Sequence, residues 1–166
     1  MTYDQVVKID RPINKRRLWL ALISAMSLVG GCLIYAFIRV TPTYFETYIG
    51  LFFDTSFFVN HSIHIQHKTL RVLVNSFAAD ALWMLSFSTG LYLVFSSIMN
   101  VRSRRYICFL VAVAVGLILE YLQAAEVIAG TFDFWDIVTY IVFSYTGIGI
   151  ASMIDQPKEV RDDTKA

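Results

Sequence analysis

The chain has 166 residues, of which 57% are hydrophobic and only 16% charged, with a mean hydropathy of +0.58; a soluble domain carries about 25% charged residues. That composition excludes a soluble enzyme and a disordered chain, and 14 Lys+Arg balanced by 13 Asp+Glu leave no basic excess for nucleic-acid phosphates. Three long apolar stretches, and a fourth broken by one carboxylate, read as an all-α, polytopic integral membrane protein in a single membrane domain.

Residues 1–17 form a polar, basic tail, and Leu18 to Ile38 follows without a charge. At about 1.5 Å per residue, a helix of that length crosses a hydrocarbon core of about 30 Å. Within it, Val29-Gly30-Gly31-Cys32 after a basic and apolar run is similar to a lipoprotein signal with its lipidated cysteine. The apolar run continues through Leu33 to Phe37, where a lipoprotein turns polar, so an uncleaved first span is favoured. Gly30 and Gly31 then serve as small residues for close helix contact. Cys32 and Cys108 both fall in expected spans and read as buried free thiols.

Residues 39–71 are the one long connection, and it is aromatic. Phe45, Tyr48, Ile49 and Phe52 recur at helical spacing, opposite Glu46, Gly50 and Asp54. A short interfacial helix and an aromatic belt that anchors the loop at the headgroups fit this pattern equally. His61, His64 and His67 recur every third residue and raise a zinc or copper reading. The alternation of Ile63 and Ile65 with polar neighbours favours solvated histidines on an extended segment.

The second span is expected over residues 72–99 with Asp80 inside it, and the third over residues 106–125 with Glu120 in its last turns. The fourth covers residues 135–154 and is entered through Asp133 and Asp136. Continuous apolarity without polar alternation predicts a four-helix transmembrane bundle rather than a barrel. Placing both termini in the cytoplasm puts 11 Lys+Arg inside and 3 (Arg39, Lys68, Arg71) outside, and the opposite orientation inverts that ratio. The expectation is therefore a multi-pass protein of the cell membrane with tails 1–17 and 155–166 inside and the loop 39–71 outside.

This topology sets the buried polar residues at one depth. Asn75, Ser76 and Asp80 fall in the outer part of the second span, Glu120 and Gln123 near the outer end of the third, and Asp133 and Asp136 at the outer start of the fourth. Glu120 and Gln123 share a helix face, as do Asp133 and Asp136, with Gly116 and Ala112 below the first pair and Tyr140, Ser144 and Gly147 beyond the second. The last three helices are thus expected to pack around a polar pocket open to the outside. An ionised carboxylate facing lipid costs several kcal/mol, so Asp80 and Glu120 should face the bundle and either pair, stay protonated or meet water. Asp133 and Asp136 also fit a plainer role, as acids that favourably meet the dipole at a helix start.

Glu120-Tyr121-Leu122-Gln123, then Gly130-Thr131-Phe132-Asp133-Phe134-Trp135-Asp136, then a Gly-containing apolar helix with Gly147 and Gly149, resembles the VanZ-like family of small bacterial membrane proteins. Asp80 is similar to an acid the family carries at the start of an earlier helix, and the resemblance covers about half the chain, Asn75 to Ile154. Ala81 and Met84 stand where the family often has Lys and His, and Tyr140 and Phe143 where it often has Asn and Gly; the usual Arg before the Asp pair is missing. The resemblance implies a divergent member with a bacterial cell-envelope role, in a family whose founding member is associated with low-level resistance to the glycopeptide teicoplanin.

Three functions follow as expectations. The first is a non-catalytic protein whose outer pocket, lined by Asn75, Asp80, Glu120, Gln123, Asp133, Asp136 and Tyr140, binds a membrane lipid headgroup, a lipid-linked envelope precursor or a glycopeptide. The second is an intramembrane enzyme in which Glu120, Asp133 and Asp136 hold a divalent cation or do acid/base work on a lipid-linked substrate. The third is a small ion-coupled carrier, for which four helices call for a homo-oligomer. No nucleophile motif, phosphate loop or dinucleotide fingerprint is present, which lowers the enzyme reading.

Overall fold

The computed structural model describes residues 15–38, 63, 65–128 and 132–155. All regular structure among them is helical. Helix α1 is Lys15–Phe37; α2, Lys68–Leu73, runs through a π-helical turn, Val74–Ala78, directly into α3, Ala79–Val94, which ends in a 3-10 turn at Phe95–Ser97. Helices α4, Val101–Ala124, and α5, Phe134–Asp155, complete the chain. Helices α1, α4 and α5 are each long and apolar enough to cross a membrane, which makes this a helical membrane protein. Helix α3 alone has 16 residues, because the π turn divides the expected second span.

Several boundaries differ from expectation, three of them by extension into basic residues. Lys15, Arg16 and Arg17, expected in the tail, open α1; Lys68 and Arg71, expected in the loop, belong to α2; Arg102, Arg104 and Arg105, expected before the third span, lie in the first turns of α4. Long basic side chains can continue a helix past its apolar part because their stems pack while their heads reach polar surroundings. At α4 a cap adds to this: the Asn100 side chain accepts the Ser103 amide N–H at 2.9 Å. His67 is exposed, while His61, His64 and the aromatic segment 39–62 lie outside the described residues.

Helix α3 is central. It packs against α1 on one side and against α5 and α4 on the other, and among the described residues α1 and α4 stand apart. Lipid offers apolar groups as good a home as the protein does, so such helices associate through close packing and hydrogen bonds. Both are visible here. A Cβ at Gly31 would lie 3.4 Å from the Ala79 carbonyl oxygen, and one at Gly147 would run into Ser88 Oγ and come within 3.2 Å of the Leu85 carbonyl oxygen. Between α1 and α3, Ser24 Oγ donates to the Ser86 carbonyl at 2.9 Å. Ser88, Thr89 and Ser144 are fully buried, and the outward faces instead carry Trp19, Met26, Leu110, Ile118 and Val142. This distribution, hydroxyls and small residues inside and large apolar residues outside, is that of a bundle solvated by lipid.

Two glycines of α5 separate packing from helix propensity. Gly147→Ala should destabilise the bundle by about 1–3 kcal/mol through overpacking against α3. Gly149, with nothing within 4 Å of an added Cβ, should tolerate Ala without loss. Thermal unfolding of the two variants in one detergent, followed by circular dichroism, checks the contrast.

Candidate functional site

One face of α4 carries Arg104, Cys108, Ala112, Gly116 and Glu120, all buried and spaced four apart. The small residues in the middle let α5 approach. At Gly116 the approach is closest: an added Cβ would sit 2.6 Å from Tyr140 Cδ2 and 2.9 Å from Cγ, so only glycine admits the tyrosine ring here. The ring placed in that gap brings the Tyr140 hydroxyl to Glu120, where it donates to Oε1 at 3.0 Å. Glu120 Oε2 accepts the Asp133 backbone N–H at 3.3 Å, and the residue is only 1% exposed.

Asp133 shapes the start of α5. Its Oδ1 accepts the Trp135 amide N–H at 2.9 Å and its carbonyl accepts the Asp136 N–H at 3.1 Å. The carboxylate thus satisfies an orphan donor of the first turn, the helix-start role that its position predicts. On α3, Asp80 Oδ1 accepts the Tyr35 hydroxyl of α1 at 2.8 Å. Glu120 bonds the Tyr140 hydroxyl, and Asp80 and Asp136 lie within electrostatic range of it, so carboxylates from α3, α4 and α5 share one neighbourhood.

The expected site residues therefore sort into distinct places. Glu120 and Tyr140 form the sealed base; Asp80, Asp133 and Asp136 are half-buried around it. The arrangement is tighter than an open pocket, because the Asp133 backbone closes over Glu120. Gln123 is half-buried, and its carbonyl accepts the Glu126 N–H at 3.0 Å as α4 ends, with Glu126 in the left-handed region at φ 56°. Asn75 lies in the π turn, and its side chain is outside the described residues. Tyr35 is the residue that sequence reasoning passed over. Its one signal is to be the only tyrosine in the otherwise apolar first span.

Among the described residues no group of three or more His, Cys, Asp or Glu is gathered that could hold a metal ion. For the expected set of Glu120, Asp133 and Asp136, the physical reason lies in the contacts: Asp133 turns its carboxylate to the Trp135 amide, and Glu120 is occupied by a hydroxyl and an amide. What the group offers chemically is a surface of carboxylates steadied by tyrosine hydroxyls. Compared with protein-family models, with curated proteins and with solved structures, the chain matches none.

The Glu120 and Tyr140 bond should be measurable as a coupling. Tyr140→Phe keeps the ring against Gly116 but strands Glu120 Oε1, and should cost about 1–3 kcal/mol for a buried acceptor left unsatisfied. In a cycle with Glu120→Gln, the two changes should be non-additive by about 0.5–3 kcal/mol, since both act on one bond. Equilibrium unfolding of the four proteins gives the coupling directly.

Proposed function

We propose that the protein is a four-span membrane protein of the bacterial envelope, with both termini in the cytoplasm, that binds an amine-bearing lipid headgroup or lipid-linked envelope precursor at the acidic, outward end of its bundle. The observation that carries this reading is the gathering of Asp80, Glu120 and Asp136 around Tyr140. Glu120 is held by neutral donors only, a tyrosine hydroxyl and an amide, so its bonds bring no compensating positive charge. The N-terminal dipole of α5 offsets part of the negative potential, worth about 0.3–1 kcal/mol per charge. A protonated amine brought by a lipid adds charge-assisted hydrogen bonds at the half-buried rim of Asp80 and Asp136, since a carboxylate accepts several bonds at once. Large apolar side chains next to that rim, exposed Trp135 and Phe134 on α5 and Tyr121 on α4, suit contact with an acyl or polyprenyl chain.

The family side of the proposal rests on the resemblance of Glu120-x-x-Gln123 and Asp133-x-x-Asp136 to the VanZ-like pattern. The contacts give those residue types physical jobs that suit such a pattern: a sealed acid on one helix, and a capped, acid-bearing start on the next. A glycopeptide that carries both an amine and a lipid tail belongs to the same ligand class. A binding role in envelope-precursor handling or glycopeptide resistance is the form of function this supports, without a catalytic step.

Added phosphatidylethanolamine should raise the apparent unfolding temperature of the detergent-solubilised protein. The rise should shrink in Asp136→Asn and in Asp80→Asn, whose side chains keep their shape but lose their charge. A rise of equal size in the wild type and both variants, or none in the wild type, would reject the site. Lipid mass spectrometry of gently solubilised protein then separates an ordinary phospholipid from a polyprenyl-linked precursor.

A further inference from the structure

The opposite end of the bundle holds a second polar group. There the N-termini of α1 and α4 meet the C-termini of α3 and α5. Arg104 is 3% exposed, and its Nη2 pairs with Asp155 Oδ2 at 2.7 Å. Its guanidinium also stacks over the ring of Tyr92 at 4.3 Å. Tyr92, itself fully buried, donates its hydroxyl to the same Asp155 oxygen at 3.5 Å, and Arg16 Nη1 donates to the Asp155 carbonyl at 3.3 Å.

Acceptors fall short of donors in this group. Arg104 Nε and Nη1 and Arg105 Nε are buried without a hydrogen-bond partner. A desolvated donor on a charged group left without an acceptor is strongly unfavourable. Lys15, Arg16, Arg17, Arg102, Arg104 and Arg105 all lie at this end. Two helix N-termini add positive potential. The unpartnered donors of Arg104 and Arg105 suit an anion with several acceptor oxygens.

We propose that this end of the bundle is a binding site for the phosphate group of an anionic phospholipid, seated between Arg104 and Arg105 with Arg16 at its edge. A phosphate fits the donor set because guanidinium N–H groups match its oxygens in pairs and charge assistance strengthens each bond. Arg105 is half-buried, so its side chain lies between the surface and buried Arg104, on the path a headgroup at the membrane surface would take. The Arg104 and Asp155 pair stays in place and fixes the angle at which the remaining donors meet the ligand. The site shares no residue with the acidic end and does not depend on what binds there.

The test titrates full-length protein in a neutral detergent with phosphatidylglycerol, phosphatidylcholine or inorganic phosphate, with native mass spectrometry and thermal unfolding as readouts. Phosphatidylglycerol should bind and stabilise, and the other two should not. Arg104→Ala removes the ion pair to Asp155 and can fail to fold, so Arg105→Gln is the informative variant, with Arg17→Gln, an exposed neighbour of equal charge loss, as its control. Arg105→Gln should weaken phosphatidylglycerol binding about tenfold and Arg17→Gln by less than about twofold, the loss of one charge-assisted bond against diffuse charge. Equal stabilisation by phosphatidylcholine overturns the proposal, as does full replacement by inorganic phosphate. Equal losses in the two variants, or no lipid response at all, overturn it as well.

Discussion

The contact between Gly116 and the Tyr140 ring is the constraint from which the acidic end of the bundle follows. Helices in lipid gain little from apolar burial, so α4 and α5 come together where shape allows backbone and ring to touch. A Cβ at position 116 would stand inside the ring's contact distance. With the ring seated, the hydroxyl arrives at Glu120, and the Asp133 amide covers the second carboxylate oxygen. Glu120 can then remain buried at membrane depth without a basic partner among its bonds. A side chain that would be costly in lipid becomes a fixed reference around which Asp80 and Asp136 are arranged.

The same face of α4 explains the other end. Counting back from Glu120 in fours passes three small residues and reaches Arg104, so a single stripe buries an acid at one terminus and a base at the other. Each meets a partner on α5, Glu120 the Tyr140 hydroxyl near the start of that helix and Arg104, through Nη2 alone, Asp155 at its last residue. The two helices run antiparallel, which lets one pair of faces close both contacts. Between them lie Ala112, Met84, Cys108 and Ile148, apolar and buried, and the length of α4 holds the two polar groups apart. Helix α3 joins the pair through a hydroxyl-rich face, and Ser88 meets the backbone of α5 at Gly147.

Much of this was legible in the sequence. The positions of α1, α4 and α5 follow from apolar length alone, and the inward direction of Gly116, Glu120, Tyr140, Ser144 and Gly147 follows from spacing together with the cost of a polar group in lipid. Gly30 and Gly31 do face α3. Apolarity is a poor guide to where helices begin, however, because basic residues near a membrane surface are compatible with both loop and helix. Arg102, Arg104 and Arg105 therefore read as a charged turn, although the four-residue stripe that identified Glu120 passes through Arg104 too. Tyr35 was beyond reach for another reason. A phenol in an apolar run declares no partner, and its bond to Asp80 depends on the angle at which α1 crosses α3, which pattern does not encode.

The π turn marks the deeper limit. Val74–Ala78 inserts an extra residue into the helical repeat just ahead of Asp80. Residues before and after such a turn no longer share the phase of one α-helix, so the face of Asn75 cannot be extrapolated to Asp80 by counting in threes and fours. The shift also has a use. It lets the start of the second helical rod follow one course while α3 turns Asp80 toward Tyr35 and into the field of Tyr140. A continuous α-helix would have to orient Asp80 and the residues of α2 together. Placing the irregular turn immediately before the carboxylate frees its direction from theirs, which is where an interruption in a helix does the most to shape a polar group at its flank.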